Sequence, residues 1–345
     1  MTPSDSVPIP LRSDSSDPGL MPLCCAVSAL AACQGPPPDP AELAVLGGAA
    51  LRTYFFAPDD NHGFAATHPE VRWRLRSLSV DHYGLLEAIA GHTGLDARRW
   101  TALRGAELVQ LLRHEREEGR PLALRRSASP DRWERVRSIH ERDGSLRLTL
   151  TPIGSQGSDV EWTADLRSAD WLAAPVCDVE ELLTLRPAGD PASERLAGVL
   201  ARDVLKWATG HLRMRLELVH DEEAFYAAGL EAWRRMAHFS AATAAVDDEA
   251  RHFLRRVIAE YALARAAGER FFRAPVAHRL LGGPPRLLDD AAEAAGTVAT
   301  LLREVESTVA EGSSATTRLP GLWEAVQNAD IRLVDAIAAV LAAPD

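Results

Sequence analysis

The stretch Pro22-Leu23-Cys24-Cys25-Ala26-Val27-Ser28-Ala29-Leu30-Ala31-Ala32-Cys33-Gln34-Gly35 decides how the first half of this chain is read. Its small and apolar residues predict a short buried helix from Cys25 to Cys33, stopped by Gly35 and the Pro36-Pro37-Pro38 run, where missing N–H groups and fixed φ forbid continuation. A thiol in the first turn of a helix lies near unpaired backbone N–H groups and the positive end of the dipole, which favour thiolate. Cys25 is therefore the candidate nucleophile. Cys24 is the alternative, because helix starts are defined only to within a residue or two. The same cysteines also suit simple packing in a buried helix.

Working outward, a chain of 345 residues with 46% hydrophobic and 25% charged content can bury a sizeable core and has the length of two domains. A formal charge of -11 argues against binding a phosphate backbone. The cysteines at 24, 25, 33 and 177 do not form a disulfide framework, which fits a reducing, cytoplasmic setting. Residues 1–20, rich in Ser, Asp and Pro, read as a disordered leader without the basic and apolar regions of a signal peptide. No apolar run reaches the roughly 18 residues of a membrane span.

Downstream of the proline run, Asp39 or Pro40 starts a helix through Leu46, and Gly47-Gly48 leads into an aromatic segment ending at Phe56. Residues 57–80 read as a surface loop with a short helix, and His82 to His92 as one face of another. Leu95 to Leu103 suits a strand, and Glu107 to Glu118 is an amphipathic helix closed by Gly119. Pro121 to Arg125, Trp133 to His140 and Leu146 to Pro152 read as strands, the last two joined by Asp143-Gly144, a strong hairpin signal. The expected sheet is largely antiparallel. Thr163 to Trp171 and Val179 to Leu185 close the first unit, and Arg186-Pro187-Ala188-Gly189-Asp190-Pro191 is the clearest linker. Beyond it the pattern is helical, at about 194–219, 221–239, 247–272, 288–311 and 321–342. The expected division is thus a domain over 21–186 and an all-α domain over 192–345, giving an α+β chain.

Two segments of the first unit resemble the papain-like, peptidase C39-like N-terminal domain of the butirosin biosynthesis acyltransferase family. Cys25-Ala26-Val27-Ser28-Ala29-Leu30 looks like that family's nucleophile helix, and the run from Ala41-Glu42-Leu43 through Gly47-Gly48 to Tyr54-Phe55 looks like its Ser-Glu helix, glycine turn and aromatic strand. The order of later elements over about 20–185 agrees with it, and a helical companion domain is usual there. The resemblance implies a papain-like antiparallel α+β domain and acyl transfer, through a cysteine thioester, from an acyl carrier protein to an amine or hydroxyl of a specialised metabolite. It implies no cofactor. Tyr54 and Trp133 would be the substrate-contacting residues.

That chemistry needs an imidazole to shuttle the proton and an acid to orient it. At the position expected for the histidine stands Trp133, and the Asp-Pro expected after the hairpin is Thr151-Pro152. His140 is seven residues further along the same strand, an offset that predicts the opposite face; His62 and His68 are loop alternatives. The rival expectation is a catalytically silent papain-fold protein that binds a substrate, peptide or partner. An acidic carrier would need an arginine patch such as Arg72, Arg74 and Arg76. The pairs Glu217–His220 and Glu249–His252, with Glu231, Glu260 or Glu304, raise a third expectation, a di-iron site in a helical bundle. No Walker, GxGxxG or GxSxG pattern occurs.

Overall fold

The structure is a computed structural model that describes residues 22–35, 37–51, 53–58, 93–101, 103–129, 132–154, 158–187, 194–213, 215–221, 224–243, 248–312 and 317–343. The expectations resting on His62, His68, Arg72, Arg74, Arg76 and the helix over 82–92 lie outside these residues. The chain is α+β. Helices α1 (Pro22–Ala31) and α2 (Pro40–Leu46) are followed by a 3-10 turn at Ala49–Leu51 and strand β1 (Tyr54–Pro58). Next come β2 (Leu95–Thr101), α3 (Gly105–Glu117), β3 (Leu122–Arg126), β4 (Glu134–Arg142), β5 (Ser145–Pro152), β6 (Val160–Asp165), α4 (Ala169–Ala173) and β7 (Val179–Pro187).

Six of these strands form one antiparallel sheet in the order β2-β7-β3-β4-β5-β6. The β4–β5 turn is the Asp143-Gly144 hairpin expected from sequence, with φ of 53° and 77° at its two central residues, as a type I′ turn requires. Its positive φ is what calls for Gly144; a Cβ there would also lie 2.4 Å from Nε of the exposed Arg167 side chain, which would have to move.

Alternation along the strands gives the sheet two apolar faces. One, with Leu122, Leu124, Ile139, Leu148, Leu150 and Leu182, packs with Leu108 and Leu112 of α3. The other, with Ala97, Ala123, Leu183 and Leu185, joins a larger cluster that includes α1 and α2 and continues into the second half of the chain. Helix α1 lies against β3, β4 and β7 on that face.

The second half contains α5 (Glu194–Leu212), β8 (Arg215–Asp221), β9 (Ala224–Gly229), α6 (Leu230–Thr243), α7 (Asp248–Arg273), α8 (Pro275–Leu281), α9 (Pro285–Ala310) and α10 (Leu319–Ala342). Helices α7, α9 and α10 lie on the stretches expected at about 247–272, 288–311 and 321–342, whereas α6 starts well inside the stretch expected at 221–239 and α8 falls on none of them. The all-α expectation fails at β8 and β9, which pair antiparallel with each other while β9 also pairs with β1, giving a three-stranded sheet β1-β9-β8. The sequence Arg215-Leu216-Glu217-Leu218-Val219 alternates apolar with polar only briefly, and a single amphipathic turn matches that pattern equally well. What decides is the partner strand, more than 150 residues earlier in the chain.

The two halves are joined around Arg265 of α7. Its guanidinium is fully buried and bonds Asp330 of α10 (Nε to Oδ1, 3.1 Å), the Ala50 carbonyl (2.7 Å) and Thr53 Oγ1 (2.6 Å). Asp330 also accepts from Trp233 Nε1 of α6 at 2.7 Å. His211, at the end of α5, places its Nε2 3.3 Å from the Thr53 N–H. A second arginine fastens helix ends: Arg202 of α5 donates to the Leu341 carbonyl at 3.3 Å and to the Leu281 carbonyl, satisfying orphan acceptors at the C-termini of α10 and α8.

Removing one member of a buried, hydrogen-bonded ion pair leaves an uncompensated charge, at a cost of about 3–5 kcal/mol. Asp330→Ala is therefore expected to lower the urea midpoint by that equivalent, and Arg265→Met combined with Asp330→Leu to cost clearly less than the two single changes added together. Additive single changes would show that the pair is not coupled.

Candidate functional site

Helix α1 is apolar around nearly its whole circumference: Leu23, Cys24, Ala26, Val27 and Leu30 are all at 0% exposure. A helix of that composition is a core element. Its first residue is Pro22, a residue suited to the first helical position. The helix thus begins three residues before the start read from sequence, and Cys25 occupies its fourth position. The dipole's influence on a thiol fades within that first turn.

The two candidate thiols differ in setting. Cys24 is fully buried, and burial, helped by the neighbouring Cys25, pushes its pKa well above the ordinary thiol value; such a group is a packing residue at neutral pH. Cys25 is half-buried against the same apolar cluster. Trp133, which precedes β4, belongs to that cluster and is 1% exposed. Its indole Nε1 is buried without a hydrogen-bond partner among the described residues, so that among these the ring is held by packing, at the position where sequence reading looked for a histidine.

His140 is exposed and sits near the far end of β4, opposite Arg147 of β5. A bulge between Val136 and Ser138 inserts an extra residue, which changes the parity expected from the seven-residue offset. Val136 and Ile139 both pack in the α3-side cluster, so His140 returns to the side of the sheet that Trp133 faces. Its distance along the strand remains, at about 3.3 Å per residue, roughly 20 Å. Thr151 donates to Asp159 Oδ1 at 2.6 Å and accepts from Arg137 Nε at 3.0 Å. An acid thus stands beside the position where one was expected, engaged with a hydroxyl. Tyr54 opens β1 opposite Ala228; its side chain lies outside the description.

Sequence reading missed a charged cluster on the α1 side of the sheet. Arg99 of β2, Arg125 of β3 and Glu181 of β7 are 6%, 2% and 2% exposed. Glu181 bonds Arg99 Nε at 3.0 Å and lies 3.1 Å from Arg125 Nη2, which also reaches Glu180 at 3.0 Å. The register Arg99↔Leu183 and Arg125↔Glu181 puts these charges in line with Leu183 and Leu185, which pack in the larger cluster. The available signal was a charge at an inward position of an otherwise alternating strand. Two guanidiniums around the buried Glu181 carboxylate, with the partly exposed Glu180 beside them, form an ion network that ties β2, β3 and β7 together.

The Glu217–His220 pair lies on strand β8, so its one-turn helical spacing has no meaning there. Among the described residues no group of three or more His, Cys, Asp or Glu side chains is placed to hold a metal ion. No protein-family model matches this chain, and no curated protein matches it.

Truncating Trp133 tests how far this site is a packing centre. Trp133→Ala is expected to cost about 3–5 kcal/mol in urea unfolding. Trp133→Phe, which removes an N–H that has no partner among the described residues, is expected to cost much less. Equal losses for both would mean that the indole nitrogen makes a necessary bond.

Proposed function

We propose that this chain is a non-catalytic binding protein built on a papain-like scaffold, in which the region around the former nucleophile helix has become core. One observation supports this reading: Trp133, at the position where the resemblance expects the base, is a buried indole in the apolar cluster that also holds α1, with no hydrogen-bond partner for its Nε1 among the described residues. Without proton transfer by a positioned base, a thiol loses a contribution of typically about 10²- to 10⁴-fold. Cys25 stands at the fourth position of α1, at the edge of the reach of the helix dipole. The acyltransferase reading, with its thioester at Cys25 and its carrier protein, requires the opposite: a thiolate at neutral pH.

The two are separated by alkylation of the folded protein with iodoacetamide between pH 5.5 and 9, with the labelled cysteine identified by tandem mass spectrometry. The expected result is ready labelling of the exposed Cys33 and Cys177, slow labelling of Cys25, and none of Cys24 short of unfolding. Selective, rapid labelling of Cys25 below pH 7 would overturn the proposal and restore acyl transfer.

A further inference from the structure

A cleft of about 290 Å³ opens between α2 and the junction of α7 with α8. Its walls are largely apolar, from Ala41, Phe271, Ala274 and Val276. The charged groups around it are already engaged, with one exception. Asp39 caps the backbone of Ala41 through Oδ1 at 2.7 Å and meets Arg270 through Oδ2 at 3.2 Å. Arg273 pairs with Glu269 at 3.1 Å. The exception is Glu42, a lining residue whose half-buried carboxylate makes no hydrogen bond or ion pair among the described residues.

We propose that this cleft binds a small primary amine, with the ammonium on the Glu42 carboxylate and the hydrocarbon part against Phe271, Ala274 and Val276. The site is separate from the thiols and does not depend on the reading given to them. The chemistry of the lining selects the ligand. An anion gains little, because both cleft arginines are neutralised by Asp39 and Glu269. A metal ion would need several oxygen ligands, and Asp39 is committed to Arg270 and to its cap. A compact ammonium needs one uncommitted carboxylate and an apolar wall beside it, and both are present. The electrostatics of Glu42 agree: burial, followed by the charge of Asp39, raises its pKa above the usual carboxylate value, and Arg279 offsets this only in part. Its ionised form is under-compensated in the free protein and gains from an added cation.

The volume sits at the lower end for ligand pockets, which suits a ligand of few heavy atoms and millimolar affinity. The probes are n-hexylamine and n-hexanol, equal in hydrocarbon and different in charge, titrated into the full chain by isothermal calorimetry at neutral pH. Hexylamine is expected to bind at least tenfold more tightly than hexanol. Glu42→Gln should bring the amine down to the alcohol's affinity, and Val276→Phe, which fills the cleft, should weaken the amine at least tenfold with Glu42 intact. Thermal unfolding establishes that each variant is folded, and if Glu42→Gln is not, Val276→Phe decides. Equal affinities of the two probes, undiminished amine binding in either folded variant, or no saturable amine binding up to about 10 mM would overturn the proposal.

Discussion

A fully buried guanidinium is the constraint on which this fold depends. Taking Arg265 out of water costs several kcal/mol, and the cost is offset only when each of its donors faces a well-placed acceptor. Those acceptors come from widely separated places: Asp330 near the middle of α10, the Ala50 carbonyl in the 3-10 turn, and Thr53 just before β1. Asp330 in turn fixes Trp233, whose ring packs edge-on against Tyr261 at 5.3 Å and near Trp323 at 6.1 Å. Misplacing any one of these segments strands a charge in an apolar core. The network therefore specifies one arrangement of α6, α7 and α10 relative to residues 50–53, rather than merely adding attraction.

That arrangement has consequences for α1 and α2. Once residues 50–53 are tied to α7 and α10, the segment before them lies between the helices of the second half and the six-stranded sheet. Helix α1 packs against the six-stranded sheet and α2, which leaves Cys24 fully buried and Cys25 half-buried. A nucleophile needs a face open to substrate and a base within reach; this packing gives Cys24 neither. The same placement leaves α2 with one side against the cluster and Glu42 facing the α7–α8 junction. The route from a buried arginine to the chemical character of two cysteines and one glutamate is thus a sequence of packing consequences.

Much of the architecture was legible in the sequence because local physics dictates it. Asp143-Gly144 can hardly be anything but a tight hairpin, Asp39-Pro40 starts a helix by capping and by fixed φ, and the long Ala/Leu stretches beyond 247 carry an unambiguous helical period. The failures have one origin, in contacts remote along the chain. Strand β8 has too short an alternation to declare itself without β1 and β9. The bulge at 136–138, which moves His140 to the other face, leaves no mark in composition. The Arg99–Arg125–Glu181 cluster reads as three solvated charges until strand register brings them together. At the candidate site the absences were legible, Trp133 and Thr151 where a histidine and an acid were sought. What the sequence withheld was burial: the difference between Cys24 and Cys25, and the isolation of the Glu42 carboxylate.

The central claim is that residues 41–58 and the helices of the second half form one cooperative unit around Arg265. Native-state hydrogen exchange measures this directly, through the opening free energies of the Leu43, Gly47 and Gly229 amides, which bond to Asp39, Leu43 and Thr53, against those in the middle of α7 and α10. The account predicts that both sets open with the same free energy and the same denaturant dependence, as parts of one global transition. Exchange of the first set at distinctly lower free energy, with a small denaturant slope, while α7 and α10 stay protected, would contradict it.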